Sequence, residues 1–257
     1  MKTIAFMLKK LFLTGCLLLL GIAVFADSLP KGNCSAPLPK TDLRRCKFWG
    51  NDFKGRDLRG VNLDGVDFRG INMTGCNLSG ASLKNADLRW TNLTNCNLTR
   101  TNLKRANLFH TTFNGAWMDY AVLTDAYLFG ASLNEVRATE ADFTKAFMKD
   151  INISESTMLN CTFNQSYMIR AVMIGSDLSG SSFDQVNLVG SALEDANLSG
   201  TSMKETALNG ATFDATLFVG ADLNGADFKD AVFSNMNQDH FQLVKNPPLI
   251  ILRLFKH

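Results

Sequence analysis

The stretch of residues 81–108 reads ASLKN ADLRW TNLTN CNLTR TNLKR ANL, and its pattern repeats every five residues. Each block has a leucine in third place, from Leu83 to Leu108. The first place holds Ala, Thr or Cys, and the second holds Ser, Asp or Asn. An amphipathic helix has an apolar stripe every 3.6 residues and a half-buried strand simply alternates. A period of five is typical of neither element.

The same period continues in both directions, from Leu43 to Phe233, without an insertion. All 39 of these central positions are Leu, Phe, Met or Ile except Ala138. In an extended segment, the small residue and the large apolar residue two positions later face the same way. A unit this short cannot bury such a pair alone, so neighbouring units must stack. The sequence therefore predicts a solenoid in which each repeat is one short side followed by a turn.

The Ala-(Asp/Asn)-Leu-x-x pattern, which covers roughly residues 41–235, resembles the signature of pentapeptide-repeat proteins. The resemblance implies an all-β fold, a right-handed quadrilateral parallel β-helix with four repeats in each coil. On that fold the repeats would form about ten coils and, at about 4.8 Å per coil, a rod roughly 45–50 Å long. Because one fold hosts many functions, the resemblance defines the shape far better than the role.

Residues 1–26 are predicted to be a signal peptide. Two lysines precede an uncharged run at residues 11–26, which ends AVFA just before Asp27. Small residues at such an end fit a signal-peptidase site, and 16 residues fall short of the roughly 20 that span a bilayer. A lipobox-like LTGC ends at Cys16, but the apolar run continues well beyond it. We therefore expect a bacterial protein that is exported to the periplasm or secreted, with no stable membrane span after cleavage.

Two segments flank the repeat. Residues 27–40 are predicted to form an N-terminal cap, and residues 236–257 a C-terminal cap or self-association tail. Solenoids need such caps because an open end coil exposes apolar side chains and unpaired backbone groups. The tail contains the apolar run PPLIILRLF, which leaves membrane contact open as an alternative, although it is too short to span.

Charge is distributed unevenly along the chain. The formal net charge is +2, and it becomes −1 when residues 1–26 are removed. Residues 41–110 contain 12 basic and 6 acidic side chains, whereas residues 111–235 contain 6 and 16. The near-neutral total argues against nucleic acid as a partner.

No motif for catalysis or metal binding is recognisable. The three histidines have no Cys, Asp or Glu at metal-ligand spacing, and neither a phosphate loop nor a nucleophile elbow occurs. The many aspartates interchange with asparagine in one slot of the repeat, which indicates a structural role. The sequence predicts no enzyme, no cofactor and no metal site.

Most cysteines occupy the small inward slot, as Cys76, Cys96 and Cys161 do. Cys76 and Cys96 would stack at about 4.8 Å, inside the Cα range of a disulfide, but with parallel Cβ directions that suit one poorly. Cys46 also occupies this slot, yet it lies close to Cys34 in the predicted cap. In an oxidising compartment, these two could form a disulfide.

Aromatic residues replace the usual small polar residues on the outside of the middle repeats. Tyr127, Phe147 and Tyr167 are spaced by twenty, so a four-sided coil would stack them in one ladder. Soluble monomers rarely expose large apolar patches, so we predict a protein-binding or dimerisation surface. The alternative is that stacked rings only stiffen the sheet. The residues predicted for this surface are Phe109, Trp117, Tyr127, Phe129, Phe147, Tyr167 and Ile169.

Two functional hypotheses follow. The first is an exported, rigid rod that presents its aromatic residues to a partner protein or to a second copy. The alternative comes from the resemblance to quinolone-resistance pentapeptide proteins, which imitate duplex DNA and bind a topoisomerase. The predicted export and the mixed surface charge favour the first.

Overall fold

The computed structural model describes residues 29–48, 50 and 52–254. The predicted signal peptide, residues 1–26, lies outside the described residues.

The repeat region is a four-sided solenoid. Parallel bridges link positions twenty residues apart, as between Asn62 and Ser82 and between Ser82 and Asn102. The Leu83 N–H donates to the Asn102 carbonyl at 2.8 Å, and equivalent bonds recur along the solenoid. Twenty residues are four repeats, so each repeat forms one side of a coil. The two regular strands among the described residues, β1 (Thr212–Asp214) and β2 (Val232–Ser234), pair in parallel.

The core runs along the axis of the solenoid. Central residues such as Leu83 and Leu103 are fully buried. In one column Phe143, Phe163 and Phe183 stack, with ring centroids 5.0 and 4.7 Å apart. A smaller side chain is also accommodated, since Ala138 is fully buried.

The small inward slot also accepts hydroxyl and thiol groups. The Thr91 hydroxyl donates to the Phe68 carbonyl at 2.7 Å, and the Cys96 thiol donates to the Met73 carbonyl at 2.8 Å. Each acceptor belongs to the preceding coil. A buried polar group is tolerated when it is hydrogen-bonded, which explains why Ala, Ser, Thr and Cys interchange here.

The corners between sides depend on left-handed backbone. Every fifth residue from 50 to 235 has positive φ. The turn at most corners is closed by a main-chain bond such as that from the Thr91 N–H to the Leu88 carbonyl, 3.0 Å long, while the N–H groups of Val136 and Cys161 donate to serine hydroxyls of the next coil instead. Glycine fills this position throughout the first coils, from Gly50 to Gly80, but Trp90 (φ 57°) fills it in the next. Left-handed backbone costs a non-glycine residue about 1 kcal/mol.

Both ends of the solenoid are covered. At the N-terminal end, Asp42 pairs with residues 30–32 through main-chain bonds of 2.8 and 2.9 Å. Cys34 and Cys46 form a disulfide, with their Cα atoms 5.3 Å apart. This disulfide ties the residues that precede the repeat to the first coil.

The C-terminal end departs from the repeat. A 3₁₀ helix (Gln238–Phe241) and the helix α1 (Leu249–Leu254) follow β2. Phe241 stacks on Phe218 at 5.3 Å, and Ile251 is buried against the core. The tail thus packs on the last coil. Among the described residues, no helix is long and apolar enough to cross a membrane.

Candidate functional site

The predicted ladder of rings lies on one side of the solenoid. Parallel bridges join Tyr127 to Phe147 and Phe147 to Tyr167. Their ring centroids are 5.0 and 5.1 Å apart, and the rings are nearly parallel. All three side chains point outward, and Tyr127 is 40% exposed. The twenty-residue spacing therefore produces a continuous stack on the surface.

A second outward column runs beside this ladder, two residues further along each strand. Phe109 and Phe129 stack in it at 5.5 Å, and Ile169 occupies the same column two coils later. Phe109 also stacks with Tyr127 at 6.4 Å, so the two columns touch. Lys149 lies between Phe129 and Ile169 in this column, and its ammonium nitrogen is 5.9 Å from the Phe129 ring. The two columns form one apolar surface.

Two corner residues extend this surface, and the sequence analysis missed them. Trp90, 55% exposed, meets Phe109 edge-on at 5.4 Å. His110 contacts Phe109 at 4.3 Å, and its Nδ1 lies 3.1 Å from the Gly130 carbonyl oxygen. A Cβ on Gly130 would sit 2.5 Å from His110 Cε1, so glycine leaves room for the ring. In the sequence, Trp90 and His110 are twenty residues apart, and each directly follows a residue of the second column. That spacing could have identified them.

These residues together are called the aromatic surface below. It combines the ladder, the second column and the two corner residues. Its members are Trp90, Phe109, His110, Tyr127, Phe129, Phe147, Tyr167 and Ile169.

Trp117, which the sequence analysis grouped with these residues, lies on another side. It bridges to Asn97 and Arg137, whereas Tyr127 bridges to Asn107 and Phe147. Ten residues separate Trp117 from Tyr127, and ten residues are two sides of a four-sided coil. Trp117 is therefore on the opposite side, where it is 59% exposed.

Charged pairs flank the aromatic surface toward the N-terminal end. Arg69 forms an ion pair with Asp67 at 2.5 Å, and Arg89 forms one with Asp87 at 2.6 Å. Arg69 also approaches Asp87 of the next coil at 3.5 Å. The hydrogen bond from Arg69 holds the pKa of Asp67 below its usual value. The apolar surface thus ends at groups that remain solvated.

The free cysteines occupy structural positions in the core. Cys76, Cys96 and Cys161 are free and buried. Burial raises the pKa of the Cys161 thiol to about 12, which disfavours the reactive thiolate. Within the described part of the chain, no group of His, Cys, Asp and Glu could hold a metal ion.

The chain belongs to the pentapeptide-repeat family. A model of a pentapeptide repeat region matches residues 36–115, and a model of pentapeptide repeats in eight copies matches overlapping segments across residues 121–235. Members of this family form right-handed quadrilateral β-helices, in agreement with the twenty-residue ladders. No curated protein matches the chain.

Several solved structures resemble the chain at low identity. HetL, a pentapeptide repeat protein involved in heterocyst differentiation regulation in Nostoc sp. strain PCC 7120, is 21% identical, with 76% of this chain and 90% of HetL covered and a TM-score of 0.39. QnrB1, a plasmid-mediated fluoroquinolone resistance protein, is 17% identical, with 74% and 88% covered and a TM-score of 0.30.

Proposed function

We propose that this protein is an exported, non-enzymatic interaction module, a rigid rod whose aromatic surface binds a partner protein or a second copy of the chain. The observation that carries the proposal is the continuous set of outward rings from Trp90 to Tyr167. A soluble protein seldom leaves such a patch uncovered. Aromatic side chains are also the groups that contribute most at interface centres.

The corner residues favour binding over simple stiffening of the sheet. Stacked rings within a ladder could serve stiffness alone. Trp90 and His110, however, occupy left-handed corners, with φ of 57° and 51°, where glycine would be favoured. Neither side chain belongs to the two stacked columns: His110 Nδ1 lies 3.1 Å from the Gly130 carbonyl oxygen, and both rings enlarge the apolar surface. Rings at these two corners extend the surface beyond the stacked columns, which stiffening of the sheet would not require.

Export is the second part of the proposal. It is supported by the charged and then apolar N-terminal sequence. It also agrees with the Cys34–Cys46 disulfide, since such bonds persist in oxidising compartments. Cell fractionation and N-terminal sequencing should find a mature protein outside the cytoplasm that begins at Asp27. A cytoplasmic protein that retains residues 1–26 would contradict export.

Site-specific photo-cross-linking tests the surface directly. A photoreactive residue at Asn187, where the ladder returns to polar residues, should cross-link to a bound protein in intact cells. The same group at Thr157, on the opposite side, is the matched control and should remain uncoupled. Equal adducts at both positions, or none at Asn187, would contradict the proposed surface.

A further inference from the structure

We propose that the partner at the aromatic surface is a second copy of this chain, aligned in parallel, with a two-fold axis that runs along the rods. This inference rests on the proposed function and specifies its partner. It comes from the chemistry of the two outward columns on this side.

The two columns differ systematically in charge. On this side, one column holds the residue before each central position, and the other holds the residue after it. Both columns point outward, because the residues between and before them point into the core. The first column includes Asp67, Tyr127, Phe147, Tyr167 and Asp227. The second column includes, at the same coils, Arg69, Phe129, Lys149, Ile169 and Lys229.

Two rods can meet face to face through this side in two symmetric ways. If the two-fold axis runs along the rods, the first column of one copy faces the second column of the other, coil by coil. If the axis runs across the rods, each column faces itself in reverse order. Both arrangements are isologous and close as dimers, so the side chains must decide between them.

The parallel arrangement places opposite charges together at both ends. Asp67 lies opposite Arg69 of the second copy, and Asp227 lies opposite Lys229 of the second copy. These groups are exposed in the single rod, where Asp67 and Arg69 already pair with each other, so the second copy would add a second partner to each. Complementary charges at the rim select a partner and fix its register.

The centre of the aromatic surface is also complementary to the second copy in the parallel arrangement. Tyr127 faces Phe129 of the second copy, which brings two aromatic rings together. Phe147 faces Lys149 of the second copy, and an ammonium group over a ring is attractive, most of all where water is excluded. The lysine that interrupts the apolar column therefore has a partner.

The antiparallel arrangement brings like charges together. When the axis passes through the coil of Phe147, Asp67 faces Asp227 of the second copy and Arg69 faces its Lys229. Lys149 then faces Lys149 of the second copy at the centre. Like charges placed directly opposite each other destabilise a contact.

The uneven charge of the whole rod does not outweigh these contacts. The basic first half and the acidic second half would favour an antiparallel pair at long range. Exposed charges are largely screened beyond about 8 Å in physiological salt. On the proposed interface, the acids lie in the first column and the bases lie in the second column of the same coils. Neither end of the interface therefore carries a large excess of one charge. Contact chemistry therefore favours parallel rods.

Spin-label distance measurement on the full chain separates the two arrangements. A label on Asn209→Cys lies in the second column near the C-terminal end. The three free native cysteines are buried, and unlabelled wild type controls for any reaction with them. In parallel rods, the two labels lie at the same coil, with packed faces about 10 Å apart. In antiparallel rods, they lie six coils apart, roughly 29 Å along the axis.

A short distance, lost when Tyr127, Phe147 and Tyr167 are replaced by Asn, would support the inference. A distance near that of the antiparallel pair would overturn it. A wild type that stays monomeric at all accessible concentrations would also overturn it, while cross-linking of another protein from Asn187 would still support the proposed function. A dimer that survives the triple substitution would overturn both.

Discussion

The first coils and the middle coils share one core but differ on the outside. Both have a large apolar residue inward in every repeat apart from Ala138, while the slot before it holds Val66 and Ile71 in the first coils and mostly Ala, Ser or Thr in the middle coils. At the corners, all seven positions from residue 50 to residue 80 are glycine, whereas sixteen of the eighteen from residue 85 to residue 170 are not. Since each left-handed non-glycine residue costs about 1 kcal/mol, the middle coils give up stability that the first coils keep.

The outward columns differ in the same place. In the first coils they contain Asp and Arg, joined as ion pairs such as Asp67–Arg69. In the middle coils of the same side they contain stacked rings such as Tyr127 and Phe147. The large inward residues, which determine the fold, are therefore of the same kind in both regions. The information specific to this protein lies on the outside of the middle coils.

The largest expected effect is on the shared core. Leu88→Asp should abolish the cooperative unfolding transition, because it places an unpaired carboxylate in a fully buried position. Asp87→Asn, one residue away and outward, is the matched control and should change stability by less than about 1 kcal/mol, since it weakens only partly exposed ion pairs. Thermal melts followed by circular dichroism would check both. If the two variants melted alike, the core assignment would be wrong.

Loss of the N-terminal disulfide should have a smaller, local effect. Replacing Cys34 and Cys46 by Ala should destabilise the N-terminal end by about 2–3 kcal/mol, because the disulfide restricts the unfolded chain. Alkylation and mass spectrometry of the wild type should label both residues only after reduction. Cys161, buried with a raised pKa, should stay unlabelled until the protein unfolds. Labelling of Cys34 without reductant would contradict the disulfide.

The corners give a reciprocal pair of effects. Gly75 has no atom within 4 Å of the position a Cβ would take, so Gly75→Ala tests backbone conformation alone. It should destabilise by roughly 1 kcal/mol, because alanine disfavours positive φ. Glu135→Gly, at an exposed corner with φ 57°, should shift the melting temperature upward. If Glu135→Gly did not raise the melting temperature, the backbone strain at this middle-coil corner would be compensated by other interactions.

The smallest expected effect is a difference between the first coils and the middle coils in how local stability depends on pH. The pKa of Asp67 is lowered by its hydrogen bond from Arg69, so its ion pair stabilises the fold above the ordinary value of 3.8 and is lost as pH falls below it. Hydrogen exchange near Asp67 should therefore accelerate slightly at low pH, relative to exchange at Tyr127, after correction for intrinsic rates. Equal acceleration in both regions would argue against this difference.

The sequence predicted the core and its register because each repeat imposes the same inward pair. Even Ala138, the one small residue in the central column, is buried as its place in the period requires. The ladder of Tyr127, Phe147 and Tyr167 followed from the same spacing. Neither prediction needed knowledge of distant contacts, because in a solenoid the neighbours of a residue are set by the period.

Other features did not follow from composition alone. Trp117 matched the ladder residues in type and slot, but its ten-residue offset places it on the opposite side. Trp90 and His110 joined the surface because left-handed corners direct their side chains beside the second column. The tail abandons the period, since Asp222 pairs with Lys245, three residues later than the repeat requires. There, packing on the end of the core determines the path.

The most direct test of the aromatic surface compares two triple variants by sedimentation and thermal melting. One replaces Tyr127, Phe147 and Tyr167 by Asn, the residue that fills this slot at Asn107 and Asn187. The control replaces Trp117, Arg137 and Thr157 by Asn in the corresponding column of the opposite side. We predict that both stay folded, that the first is monomeric, and that the control associates like wild type. A first variant that unfolds, or that dimerises as wild type does, would contradict an interface at this surface.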